Sequence, residues 1–192
     1  MLQTSFYTSE ELSQIGFKGY GKNVLISRFA RFYHPENIEF GDNVRVDDFC
    51  IFSAGGRITI GSFIHIAPYT SLIGEGDIII EDFCSISGRV SLYSSSDDYM
   101  GMAMTNPMIP SEFRRVHTQS IILRKHSIIG CGSVVLPGVE LGLGASIGAM
   151  SLVKDSCEAE TIYSGNPLVK IGKRIQRYHR FEQKFIETLK KD

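Results

Sequence analysis

The sequence predicts an all-β fold, a triangular prism made of stacked coils of short parallel strands, and three observations carry that prediction. In the C-terminal half, Leu123, Ile129, Val135, Leu141, Ile147 and Val153 recur at a spacing of six. Four residues after each stands a small or β-branched residue: Ser127, Ser133, Val139, Ala145, Ser151 and Cys157. In the N-terminal half the sixes are grouped into triplets that repeat every 20 residues: Phe40, Val46 and Phe52, then Ile60, Ile66 and Leu72, then Ile80, Ile86 and Leu92. The third observation is 19 glycines in 192 residues beside no tryptophan, which implies many tight corners.

A period of six matches neither the 3.6 of a helix nor the two of a simple strand. It suits three short flat strands per coil, with two extra corner residues completing the 20. Each large residue then points inward and stacks on its equivalent one coil away, about 4.8 Å along the axis. A small residue must follow at the next inward position, because two bulky side chains do not both fit in a narrow triangle. Gly or Asp beside the large residue eases the corner. Tyr20, Ile26 and Phe32 form a weaker first triplet. An antiparallel sandwich also has short strands and many turns, but it predicts irregular turn spacing, which this recurrence does not show.

A single domain is expected over residues 1–192, with a cap helix in 1–16, the prism in 17–165 and a C-terminal helix in 166–192. Thr8-Ser9-Glu10-Glu11 offers a capping box, Leu12 and Ile15 an apolar face, and Gly16 a stop. Ile171, Ile175, Tyr178, Phe185 and Leu189 fall close to one helical face among Lys and Arg. Both ends of such a solenoid need covering, since open backbone groups would template aggregation. Over 93–120 the six-residue pattern stops in YSSSDDYMGMAMTNPMIPSEFRRVHTQS. An excursion this long from an ordered scaffold, rich in Ser, Asp, Tyr, Arg and Pro, predicts a site-forming arm.

Charge narrows the partners. With 20 Lys and Arg against 21 Asp and Glu the net charge is −1, so no global field draws in nucleic acid or an anionic membrane. Cys50, Cys84, Cys131 and Cys157 lack close pairing and read as small buried residues in a reducing cytoplasm. Neither a signal peptide nor an apolar stretch of about 20 residues is apparent, which predicts a soluble cytoplasmic protein.

The run IIGCGSVVLPGVELGLGASIGAMSLVKDS, closed by YSGNPLVKIGKR, resembles the C-terminal part of the hexapeptide-repeat acyltransferases, and the resemblance extends over about residues 20–175. It implies a left-handed parallel β-helix, against the usual right-handed crossover. It also implies a homotrimer with active sites between neighbouring prisms and acetyl-CoA as co-substrate. In that family the pantetheine arm lies in the groove between prisms, and basic residues near the C-terminus meet the phosphates. At the matching positions Cys131 and Ala149 line the groove, with Gly132 and Ser151 close by, and Lys154 lies where the coil run ends. After the Gly165-Asn166-Pro167 turn, the basic residue expected two positions on is replaced by Val169, which leaves Lys170 and Lys173, with Arg174, for the phosphates.

Sugar and antibiotic O-acetyltransferases of this type carry a histidine in the loop after the middle coils. Here the matching segment is Ser94-Ser95-Ser96-Asp97-Asp98-Tyr99, without one. Of the five histidines, His65 and His117 are placed to matter. His65 stands in FIHIAPYTSLIGEG, similar to the segment of N-acetyltransferases that modify nucleotide-linked amino sugars, and its position in the hexad points outward. His65, Asp97 and Asp98 are therefore the candidate catalytic residues, with the choice of base open, and Ser96, Tyr99 and Asn106 are candidates for holding the sugar. A neutral amine attacks a thioester with a weaker base than a hydroxyl requires, so an acidic pair in place of the loop histidine favours N-acylation. With its SSSDDY and TNP segments the chain resembles N-acetyltransferases acting on dTDP-linked 4-amino-4,6-dideoxy sugars, and this resemblance implies acetyl transfer to such a sugar in surface-polysaccharide synthesis, with no metal. The alternatives are an O-acetyltransferase using His65 or His117, a zinc carbonic anhydrase, for which the histidines lack paired spacing, and a catalytically inert scaffold.

Overall fold

The computed structural model describes residues 5–190. Its strands form three parallel sheets that are the faces of a left-handed β-helix. The first face contains Ile38–Phe40, Ile58–Ile60, Ile78–Ile80 and Ile121–Leu123; the second contains Val44–Val46, Ile64–Ile66, Ser85–Ile86 and Ile128–Ile129; the third contains Ile51–Ala54, Ser71–Gly74, Ser91–Tyr93 and Val134–Val135. Register follows the predicted repeat: Phe40 pairs with Ile60, Ile60 with Ile80, and Ile80, across the excursion, with Leu123. The large residues of each hexad from Phe40 onward are buried, and so are their small companions. Burial of about 25 cal/mol per Å2 of apolar surface is thus spread along a continuous interior column.

The first coil departs from the expectation. Tyr20 is 39 % exposed and Phe32 is partly buried, because no coil lies beneath them to complete the stack. Leu12 of helix α1 (Ser9–Ile15) covers part of that end. The capping box forms as predicted: the Thr8 amide donates to Glu11 Oε2 at 2.7 Å and the Glu11 amide to Thr8 Oγ1 at 3.3 Å, while Gly16 stops the helix at φ 88°. Residues 1–4 of the expected cap lie outside the described residues. Cys131 is exposed at a corner, unlike the three buried cysteines, whose thiols burial pushes up to about 11 for Cys50 and Cys157 and about 12 for Cys84.

The C-terminal expectation is corrected more substantially. Residues after 165 begin with a strand, Val169–Lys173, which pairs antiparallel with Thr161–Ser164 and closes the second face; Ile171 belongs to this strand and Ile175 precedes the helix. Helix α2 spans Tyr178–Leu189, and residues 191–192 of the expected helix lie outside the described residues. α2 does not cap the end. It lies along the flank, where Phe185 packs edge-on against Phe63 and Phe83 at 5.1 and 6.3 Å. The excursion is rooted by a short antiparallel pair, Ser95–Ser96 with His117–Thr118, and leaves the corner between the third and first faces.

Candidate active site

Alternation along strand Ile64–Ile66 decides where His65 points: Ile64 and Ile66 fill the interior, so His65 faces out. Its neighbours on the second face are Arg45 on one side and Ser85 on the other. Asp47, at the corner that ends strand Val44–Val46, lies with Oδ2 2.7 Å from His65 Nε2, while Oδ1 accepts from Arg45 Nε at 2.6 Å. The Asp47 side chain is 11 % exposed and that of His65 48 %. Burial works to raise the Asp47 carboxyl, but the bonds from His65 and Arg45 outweigh it and hold the group below the usual range. An ionised Asp47 accepts only, so Nε2 carries the imidazole proton and Nδ1 is the basic nitrogen.

The same prism edge carries two of the positions expected to line the coenzyme groove. Backbone bonds from Asp47 to Ile66, Ala67 to Ile86, Ser87 to Ile129, Gly130 to Ile147 and Gly148 to Tyr163 stack the corner between the second and third faces coil upon coil. Cys131 and Ala149 follow Gly130 and Gly148 on that edge, and both are exposed. Gly132 turns the corner at φ 71°, where a Cβ would collide with the Met150 sulfur. Ser151 is different: it is buried, its hydroxyl donates to the Gly148 carbonyl at 2.7 Å and accepts from the Gly165 amide at 2.9 Å, so it braces the corner from inside. Lys154 is exposed but follows strand Leu152–Val153 at the opposite corner of the third face. Lys170 and Lys173 sit on the closing strand, where Lys170 bonds Glu158 at 2.7 and 2.9 Å and Lys173 approaches it at 3.5 Å.

The acidic pair occupies the arm. Asp98 accepts from the amides of Met100, Met102 and Ala103 at 2.9, 2.5 and 2.8 Å, and these bonds, that from Met100 foremost, hold its carboxyl low. Its carboxylate is engaged in folding the loop. Asp97 is less committed, accepting from the Asn106 amide at 3.3 Å, while the Asn106 side chain accepts from the Met108 amide at 3.0 Å. Ser96, Asp97, Asp98, Arg115 and His117 line one open cleft at the root of the arm. Asp97 also faces a second cleft with His34, Ser53 and Arg114. Tyr99 is 92 % exposed. His65 lines neither cleft, and among the described residues no hydrogen bond joins it to Asp97 or Asp98, so one chain alone does not assemble the three candidates.

No family model matches the chain. A dTDP-4-amino-4,6-dideoxy-D-glucose acyltransferase of Escherichia coli is 50 % identical over 176 residues, 91 % of this chain and 92 % of its own length. The chain belongs to the hexapeptide-repeat acyltransferases. This acyltransferase also matches AntD, an N-acyltransferase from Bacillus cereus solved with dTDP and 3-hydroxybutyryl-CoA, at TM-score 0.94 and 46 % identity, covering 98 % of this chain and 100 % of AntD. A serine variant of AntD, solved with dTDP-4-amino-4,6-dideoxyglucose and coenzyme A, matches at TM-score 0.91 and 44 % identity over 97 % of this chain and 100 % of that one. By contrast, the putative lipopolysaccharide biosynthesis O-acetyl transferase WbbJ of Escherichia coli K12 is 30 % identical over 76 residues, 40 % of this chain and 37 % of its own length, so the hydroxyl-acylating alternative is not favoured. In this acyltransferase the sequence reading missed Asp47, which looks like an ordinary corner residue until the coil above places His65 on it. Arg115, which joins the acidic pair and His117 in one cleft, carried no signal beyond its place in the arm.

Proposed function

We propose that this acyltransferase moves the acetyl group of acetyl-CoA onto the 4-amino group of a dTDP-linked 4-amino-4,6-dideoxy sugar, in the cytoplasm, as a homotrimer supplying surface-polysaccharide and lipopolysaccharide synthesis. The observation that carries the reading is 50 % identity along nearly the whole chain to an enzyme named for that sugar nucleotide. No helix among the described residues is long and apolar enough to cross a membrane, which is compatible with cytoplasmic substrates.

In the proposed mechanism the coenzyme lies along the corner of Cys131, Gly132 and Ala149, and its thioester reaches the level of His65. The sugar amine attacks the thioester carbonyl as His65 Nδ1 takes its proton, and Asp47 stabilises the imidazolium. Corner amides stabilise the oxyanion. The C–S bond then breaks and the imidazolium returns the proton to the sulfur, leaving an amide and free coenzyme A thiol. Arg115, His117, Ser96 and Asp97 hold the sugar nucleotide, with the arm reaching His65 across a subunit boundary. Supporting the trimer, Phe29, Phe49 and Tyr69 form an exposed stack on the His65 edge, with centroids 5.7 and 5.0 Å apart, a surface suited to burial against another copy.

Subunit complementation tests this arrangement. His65→Ala and Asp97→Ala chains, each weak alone, are expected to regain activity when unfolded and refolded together, because some mixed boundaries then carry both intact residues. No recovery in mixed trimers would place both residues' roles within one chain and contradict the shared site.

A further inference from the structure

The flank where α2 meets the prism carries a cluster that acyl transfer does not use. Corner residues of successive coils between the first and second faces, Phe63, Phe83 and His126, stack with ring centroids 5.0 and 5.1 Å apart. Beyond this stack His126 Nε2 lies 2.7 Å from Glu182 Oε2, and His179 Nε2 lies 2.8 Å from Glu160 Oε1. Ligand atoms of His126, His179 and Glu182 all fall within 4.8 Å of one another. A separate observation comes from Glu160. Its Oε1 accepts from the Tyr178 hydroxyl at 2.5 Å, whereas Oε2 is buried without a hydrogen-bond partner. Gly144 makes the space beside it, since a Cβ there would lie 2.6 Å from Oε2 and collide with the Tyr178 hydroxyl.

We propose that His126, His179 and Glu182 bind one divalent transition-metal ion, Zn2+ by their donor chemistry, that Glu160 orients His179 from outside the ligand set, and that the ion clamps α2 to the prism. Two imidazoles and one carboxylate are a donor set that holds Zn2+ with water in the fourth position, and a carboxylate hydrogen-bonded to a ligating imidazole fixes its orientation. The Glu160 oxygen left without a partner is costly when buried, and a cation close by lowers that cost. Two ligands of a tetrahedral ion, each 2.0–2.1 Å from it, stand about 3.3 Å apart, so loading opens the His126–Glu182 contact by about half an ångström. Lys125, paired with the other oxygen of Glu182, remains its partner. The cluster lies on a different prism edge from His65, so this site stands or falls independently of the proposed substrate.

The test is titration of chelator-stripped full-length protein with Zn2+ at about pH 7.5, with metal analysis and thermal melting alongside. One ion per chain and a raised Tm are expected, with Co2+ in its place giving a tetrahedral visible spectrum. His179→Ala should weaken binding by about tenfold or more. Glu160→Gln, which keeps shape and leaves the helix folded by circular dichroism, should also weaken it. Absence of uptake overturns the proposal, as does uptake undiminished in both variants. A Tm that follows pH but not Zn2+ would also overturn it, identifying the cluster as a latch of protonated histidines on carboxylates.

Discussion

At the residue scale, the account turns on His65 and Asp47. His65→Ala is expected to lower kcat by about 10^2–10^4 through loss of the general base. Its half-exposed side chain predicts a melting curve close to the parent's, read by circular dichroism. Asp47→Asn should lower kcat and also cost about 1–2 kcal/mol at pH 7, because it removes a charged acceptor from both His65 and Arg45. The sign follows from the depressed carboxyl. A group whose pKa falls on folding contributes stability above its unfolded value, about 4, and loses it as pH drops through the folded value. The gap between parent and Asp47→Asn in urea unfolding should therefore be full at neutral pH and close below about pH 4; a gap that widens on acidification would remove the ionised Asp47 from the account. Asp98→Ala should act otherwise, speeding proteolytic nicking in the arm through loss of three amide contacts.

Elements differ in how legible they were, for physical reasons. The strands were readable because each is set by a local period, and the capping box of α1 because it closes within four residues. From position 166 the spacing of Ile171 and Ile175 continues a helical pattern and predicts helix, whereas Val169–Lys173 finds a partner strand in Thr161–Ser164. That pairing is tertiary and overrides the pattern. The Asp47–His65 contact escaped for a similar reason: the residues are 18 apart and meet only when coils stack. Ser151 looked like a groove residue by motif, yet its hexad position already marked it as an inward companion, and that signal was the better guide. The docking of α2 depends on Gly144. Gly144→Ala, at φ 63° and against the Tyr178 hydroxyl, is expected to cost about 1–3 kcal/mol and to speed hydrogen exchange across Tyr178–Leu189. Unchanged exchange there would mean the helix is held mainly by Phe185.

For the whole molecule, stacking makes each coil depend on its neighbours, as in other solenoids. Leu92 is fully buried between Leu72 and Val135, so Leu92→Ala should destabilise by about 2–5 kcal/mol, measured by urea unfolding at fixed protein concentration. His65 lies on the second face of the prism and the arm leaves the corner between the third and first faces, so the proposed shared site calls for a neighbouring copy to bring them together. The central claim is N-acylation of a sugar nucleotide, and free-thiol release is its most direct measure. With acetyl-CoA, rapid release is predicted when a dTDP-4-amino-4,6-dideoxy sugar is added, none with the 4-hydroxy counterpart, and a large loss in His65→Ala. Equal release with the hydroxy sugar, or none with the amino sugar while acetyl-CoA still binds, would contradict it.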